Sequence, residues 1–121
     1  MYGKGKSEKL IGEVFHGMRD EIVISTKYGY DFRDVAQIGH SELPQKFDHE
    51  FTEYALKNSL ERLQTDYIDL YQIHWPNPVV PIEETLKALE KLVKEGKVKY
   101  IGVCNFSLRL LQDIQKASTL Q

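Results

Sequence analysis

Cysteine is nearly absent from this sequence: Cys104 is the single one in 121 residues. A lone thiol excludes an internal disulfide and offers no cluster for zinc, so no metal centre is expected, and a cytoplasmic, reducing setting fits. Excess charge is also missing. The net charge is -2, which gives no electrostatic ground for nucleic acid or an anionic membrane as partner. No apolar run approaches the roughly 20 residues of a spanning helix. The first residues are polar and glycine-rich and do not read as a secretory signal. Nothing is low-complexity. The length allows one domain at most, large enough for a real core.

The chain is organised around Asp66 to Trp75, Asp-Tyr-Ile-Asp-Leu-Tyr-Gln-Ile-His-Trp. This reads as a buried strand stopping on His74, followed by Trp75-Pro76-Asn77-Pro78, which cannot continue a regular element. A histidine there has two readings. It is a core residue with its nitrogens hydrogen-bonded, or it stands where parallel α/β folds keep their chemistry.

Taken in order, Ser7 is positioned to cap a helix through Met18, with Leu10, Ile11, Val14, Phe15 and Met18 on one face. Glu21 to Lys27 follows as a strand, its Ile22-Val23-Ile24 run suited to cover on both sides. Tyr28 to Lys46 is a long polar loop of the kind that is functional or mobile. Asp48 to Gln64 is a helix with Phe51, Ala55, Leu56, Leu60 and Leu63 inward, and Tyr67 to His74 is the second strand. Pro81 opens a third helix whose buried stripe is Ile82, Leu86, Leu89 and Val93, and Gly96 stops it. Lys99 to Val103 is a third strand, and Ser107 caps a last helix with Leu108, Leu111 and Ile114 on one face. The order is helix, then strand and helix three times, an α/β pattern with parallel strands. Three strands cannot close a barrel, which takes about eight. Residues 1–121 are therefore read as a single partial domain.

The strand ends are Lys27, His74 and Cys104-Asn105, and in a parallel sheet these share one rim. Alone, the lysine is a solvated residue and the asparagine caps a turn. Together they place an ammonium, an imidazole and an amide on a common site.

At this point the chain resembles the aldo-keto reductases, NADPH-dependent enzymes built on a (β/α)8 barrel. The resemblance rests on Tyr2-Gly3, Ser7-Glu8, Ile11-Gly12, Ile24-Ser25-Thr26-Lys27 and Ser59-Leu60-Glu61-Arg62-Leu63. It continues through Tyr67 to Pro76, Gly96-Lys97-Val98 and Ile101-Gly102-Val103-Cys104-Asn105-Phe106. It covers nearly the whole chain in order, the long loop excepted, and implies a partial TIM barrel of about three parallel strands and four helices. It also implies hydride transfer between NADPH (NADP+) and an aldehyde or ketone, with a small carbonyl or alcohol as substrate.

In the family the catalytic set is Asp, Tyr, Lys and His. The resemblance puts the tyrosine role on Tyr2, the lysine on Lys27 and the histidine on His74. Asn105 then holds the nicotinamide carboxamide. Cys104 stands where serine is common, and a thiol is a weaker donor there; it reads equally as a small packed residue. Trp75 is either a wall of the substrate pocket or a structural aromatic beside two prolines.

The chemistry suits these roles. Hydride delivery leaves charge on a carbonyl oxygen, which then needs a proton or strong hydrogen bonds. A free tyrosine, with a pKa of about 10, is a sluggish acid at neutral pH. A neighbouring ammonium favours the phenolate and lowers that pKa, while an imidazole N–H orients the carbonyl.

The family's aspartate would fall ahead of Met1, and the later strands and the basic loop for the cofactor's phosphates would fall beyond Gln121. The chain is thus expected to be a fragment that does not turn over alone, with open sheet edges that favour self-association. Two rivals stand beside this. A partial barrel of this fold could be a non-catalytic binding subunit, like the auxiliary subunits of potassium channels. Gly5-Lys6-Ser7 also resembles the tail of a phosphate-binding P-loop, but the strand and earlier glycine that motif requires are not seen.

Overall fold

The computed structural model describes residues 3–30 and 48–119. Its elements are α1 (Lys6–Val14), a 3-10 turn (Arg19–Glu21), β1 (Ser25–Tyr28), α2 (His49–Leu63), β2 (Ile68–Ile73), α3 (Ile82–Lys94), β3 (Val98–Val103) and α4 (Leu108–Ala117). The three strands form one sheet in the order β1-β2-β3. Both pairings are parallel, with Lys27 opposite Gln72 and Gln72 opposite Gly102. This is the α/β arrangement of a partial (β/α)8 barrel. Among the described residues no helix is long and apolar enough to cross a membrane.

Alternation along the strands divides the sheet into two unlike faces. Thr26, Tyr28, Tyr71 and Ile73 share the face that meets the helices, where the core also takes Phe51, Leu56, Leu63 and Leu89. Tyr28 and Tyr71 stack there with ring centroids 4.7 Å apart. Ser25, Lys27, Leu70, Gln72, Tyr100 and Gly102 share the other face, and Tyr100 is 70% exposed on it. Ser25 donates to Gln72 Oε1 at 3.2 Å across that face.

Local signals set the helix ends, at Ser107 and Gly96 as expected. Asp48 caps α2 by accepting from the Phe51 N–H, and Gln64 closes it at φ 54°. Ser107 caps α4 by accepting from the Leu110 N–H. Gly96, at φ 72°, turns the chain after α3.

Two expectations are corrected. Ser7 does not cap α1: the cap is Gly5 at φ 90°, and the helix ends at Val14 rather than Met18. Its buried seam is not the expected apolar stripe either, since Leu10 and Val14 are exposed. Gly12 carries the close approach instead, because a Cβ there would lie 2.5 Å from the Arg62 carbonyl oxygen on α2.

The first strand starts at Ser25, not Glu21, and Val23 is 81% exposed. Side chains take the backbone groups that a longer strand would have paired. Arg19 donates to the Ile22 carbonyl at 3.0 Å, and the Ile24 N–H donates to Asp69 Oδ2 at 2.9 Å. Only the Ile24 carbonyl joins the ladder, accepting from the Leu70 N–H.

Asp69 is the hub of that pole. It also accepts from Arg19 at 2.6 Å and pairs with Lys99 at 2.9 Å, while Arg19 lies 3.7 Å above the Tyr67 ring. Burial works to raise the pKa of Asp69, but the Ile24 N–H, Lys99 and Arg19 outweigh it and hold the carboxyl at about 2.

Candidate active site

The opposite end of the sheet is where the strands finish. The ladder runs one residue past β2 and one past β3: the His74 N–H donates to the Tyr28 carbonyl at 3.0 Å, and the Cys104 N–H donates to the Ile73 carbonyl at 2.8 Å. It stops there because Pro76 and Pro78 have no N–H to offer a sheet. Asn77 then closes a turn by accepting from the Val79 N–H at 2.7 Å, which leads to Pro81 and α3.

The rim's tightest link is a side chain. Asn105 lies at φ 63°, a left-handed conformation that asparagine tolerates better than other non-glycine residues. From there its Nδ2 donates to the His74 carbonyl at 2.8 Å and approaches Cys104 Sγ at 3.4 Å. Among the described residues its Oδ1 accepts no hydrogen bond. That leaves an acceptor suited to a carboxamide N–H, beside a thiol that is only partly buried.

His74 is 8% exposed. Its ring is flanked by two aromatics: Trp75 nearly parallel at 6.3 Å and Tyr30 edge-on at 5.9 Å. Trp75 is itself 41% exposed. Burial, and after it the charge of Lys27, pushes the imidazole's pKa below the usual histidine value. The lysine therefore acts on the histidine across the strand ends, although Lys27 lies within β1 and Tyr28 is its last residue. Near neutral pH the imidazole is uncharged, one nitrogen donating and the other accepting.

Of the residues singled out in the sequence, the structure brings Lys27, His74, Trp75, Cys104 and Asn105 to one rim. Tyr2 lies outside the described residues, as do residues 31–46 of the long loop. Among the described tyrosines, Tyr28 and Tyr71 are buried in the core with their phenols' pKa pushed up by burial. Tyr30 is the site residue that sequence reasoning did not single out. Its signal was its place, two residues past the end of a strand and opening the loop beside the histidine.

A cleft of about 870 Å³ lies elsewhere, lined by Arg19, Tyr54, Leu60, Thr65 and Lys97 among others. It runs along α2 to the turn before β2 and contains none of the rim residues, whereas chemistry in parallel α/β folds sits where strands end.

A parallel α/β sheet therefore carries a lysine, a buried histidine and an asparagine amide at the ends of its three strands. The model of the aldo/keto reductase family matches residues 1–121, and the chain belongs to that family. The chain is 39% identical over 121 residues to the aldo-keto reductase YhdN of Bacillus subtilis, covering 98% of this chain and 35% of that protein. The aldo-keto reductase AKR11C1 of Bacillus halodurans in its holo form superposes with a TM-score of 0.87 at 34% identity, over 99% of this chain and 39% of that one. An aldo/keto reductase of Klebsiella pneumoniae, solved in complex with NADP and acetate, gives 0.74 at 32% identity, over 96% and 36%. The chain thus spans little more than a third of the relatives it matches. This membership leaves the P-loop reading of Gly5-Lys6-Ser7 without support, and Gly5 packs instead against the side chain of Arg62.

Proposed function

We propose that this rim is the carbonyl-reducing pole of an aldo-keto reductase acting on an aldehyde or ketone, or on the alcohol in reverse. The observation that carries the reading is the joining of the His74 and Asn105 strand ends by the 2.8 Å bond, with the charge of Lys27 bearing on the imidazole. Bound NADPH supplies the hydride. The chain's own residues do the rest. His74, neutral at pH 7, offers an N–H to the carbonyl oxygen and orients it. Tyr2 delivers the proton, and the Lys27 ammonium lowers its pKa by favouring the phenolate. Asn105 accepts from the nicotinamide carboxamide through Oδ1, Cys104 makes a weaker contact beside it, and Trp75 walls the substrate pocket. A relative with NADP bound supports this choice of cofactor.

Because the chain spans about a third of its relatives, it is expected not to oxidise NADPH by itself. The test is a chimera in which the chain replaces its matching segment of YhdN. It is expected to oxidise NADPH with a simple aldehyde. Tyr2→Phe, Lys27→Met and His74→Gln should each lower kcat about 100-fold or more. A chimera that reduces the aldehyde at an undiminished rate with all three replaced would overturn the reading.

A further inference from the structure

Among the described residues, the His74 carbonyl at the rim is received by a side chain, that of Asn105. The peptide N–H of His74 is held from one side by Tyr28 at 3.0 Å, and its carbonyl by Asn105 at 2.8 Å. Both the carbonyl and the imidazole hang from one Cα. Fixing the peptide groups on both sides of that Cα limits where the ring can point, next to Tyr30 and Trp75, which flank it. The amide that does this is itself oriented. Nδ2 carries two N–H groups, one donating to the carbonyl and one turned towards Cys104 Sγ at 3.4 Å. A thiol sulfur is a weak acceptor, and with Nδ2 engaged in this way Oδ1 accepts no hydrogen bond among the described residues.

We propose that Asn105 is a positioning residue for His74, a single planar amide that clamps the His74 carbonyl through Nδ2 while Oδ1 receives the cofactor's carboxamide, so that cofactor binding and the setting of the imidazole are coupled. The second half rests on the function proposed above; the first does not. The coupling has a physical route. An amide oxygen that accepts a hydrogen bond polarises its own N–H groups and strengthens the bond they donate. Occupying Oδ1 therefore tightens the hold on His74.

The test uses the whole chain with its histidines isotopically labelled, and reads the His74 imidazole by NMR. Asn105→Gly keeps the left-handed backbone at little cost and removes the clamp. Asn105→Asp keeps the size but cannot donate to a carbonyl. In both variants the His74 ring signals are expected to shift and broaden, and the titration midpoint to rise towards that of an exposed histidine, with thermal unfolding near wild type. In the YhdN chimera, where the rest of the relative is present, saturating NADP+ is expected to move the His74 signals, and to leave them in place when either substitution is introduced there. His74 signals and midpoint unchanged in both variants would overturn the clamp. His74 signals that respond to both substitutions, in a chimera where saturating NADP+ leaves them unmoved, would overturn the coupling, and would count against the proposed cofactor role of Asn105 rather than against the positioning.

Discussion

Arg62 donates from Nε to one carboxylate oxygen of Glu8 at 2.6 Å, and Thr26 donates to the other, also at 2.6 Å. One carboxylate therefore ties α1 to α2 and to β1. The Glu8 side chain is 14% exposed and Arg62 37%, so the carboxylate sits in the drier half of the pair. Removing it leaves a guanidinium and a hydroxyl facing each other. Glu8→Ala is expected to cost about 2 kcal/mol, within the range for hydrogen bonds to charged groups and reduced by solvent at Arg62. Glu8→Gln, which keeps one acceptor, should cost about half as much. Urea unfolding midpoints check both, and equal midpoints for Glu8→Ala and wild type would refute the tie.

The same seam has a steric element at Gly12. Alanine is the better helix former by about 1 kcal/mol, so propensity alone favours Gly12→Ala. Packing decides otherwise. The added Cβ would meet the Arg62 carbonyl oxygen at 2.5 Å and the Leu63 backbone at 2.7 Å, and backbone cannot swing aside as a flexible side chain does. Overpacking of this kind costs about 1–3 kcal/mol. A net loss of up to about 2 kcal/mol is expected. Gly17→Ala makes the useful comparison, because nothing lies within 4 Å there and its φ of 80° is the sole obstacle.

These two residues show where sequence reading reached and where it stopped. Glu8 and Gly12 were visible as parts of matching motifs, but their partners were not, since a seam between helices is a relation of distant residues. Elements bounded by their own chemistry were legible: α2 between Asp48 and Gln64, α4 behind Ser107, the turn at Gly96, and β2 stopping before Trp75-Pro76. Elements bounded by distant side chains were misread. The β-branched run at Ile22 to Ile24 has every local reason to be strand, and it is held out of the ladder by Arg19 and Asp69. At the rim, the strand ends were legible because strand periodicity and proline mark them. The Asn105 bond to His74 and the approach of Tyr30 depend on a left-handed residue and on a loop, which carry no periodicity.

Asp69 predicts an acid limb. Its folded pKa, about 2, lies below the roughly 3.9 of an unfolded aspartate. Its contribution is therefore complete above about pH 4 and is lost as pH falls towards 2. A gap of nearly two units corresponds to about 2 kcal/mol once the solvent-exposed Lys99 partner is discounted. Stability measured against pH should fall across that window, and Asp69→Asn should start lower at pH 7 and fall less steeply. Parallel curves for the two proteins between pH 4 and 2 would show that the carboxylate is not the titrating group.

His74 predicts a second pH dependence of opposite chemical kind. Its folded pKa is depressed, first by burial and then by the charge of Lys27, so the unfolded chain takes up a proton more readily than the folded one. Stability should be complete above the ordinary histidine value of about 6.5 and decline as pH falls through the depressed folded value. His74→Gln has no proton to take up and should remove that decline. Lys27→Met isolates the electrostatic part: it leaves the ring buried and removes the charge, so the NMR midpoint of His74 should rise while remaining below that of an exposed histidine. If Lys27→Met leaves the midpoint where it was, the lysine does not act on the imidazole across the strand ends, and burial alone sets its protonation.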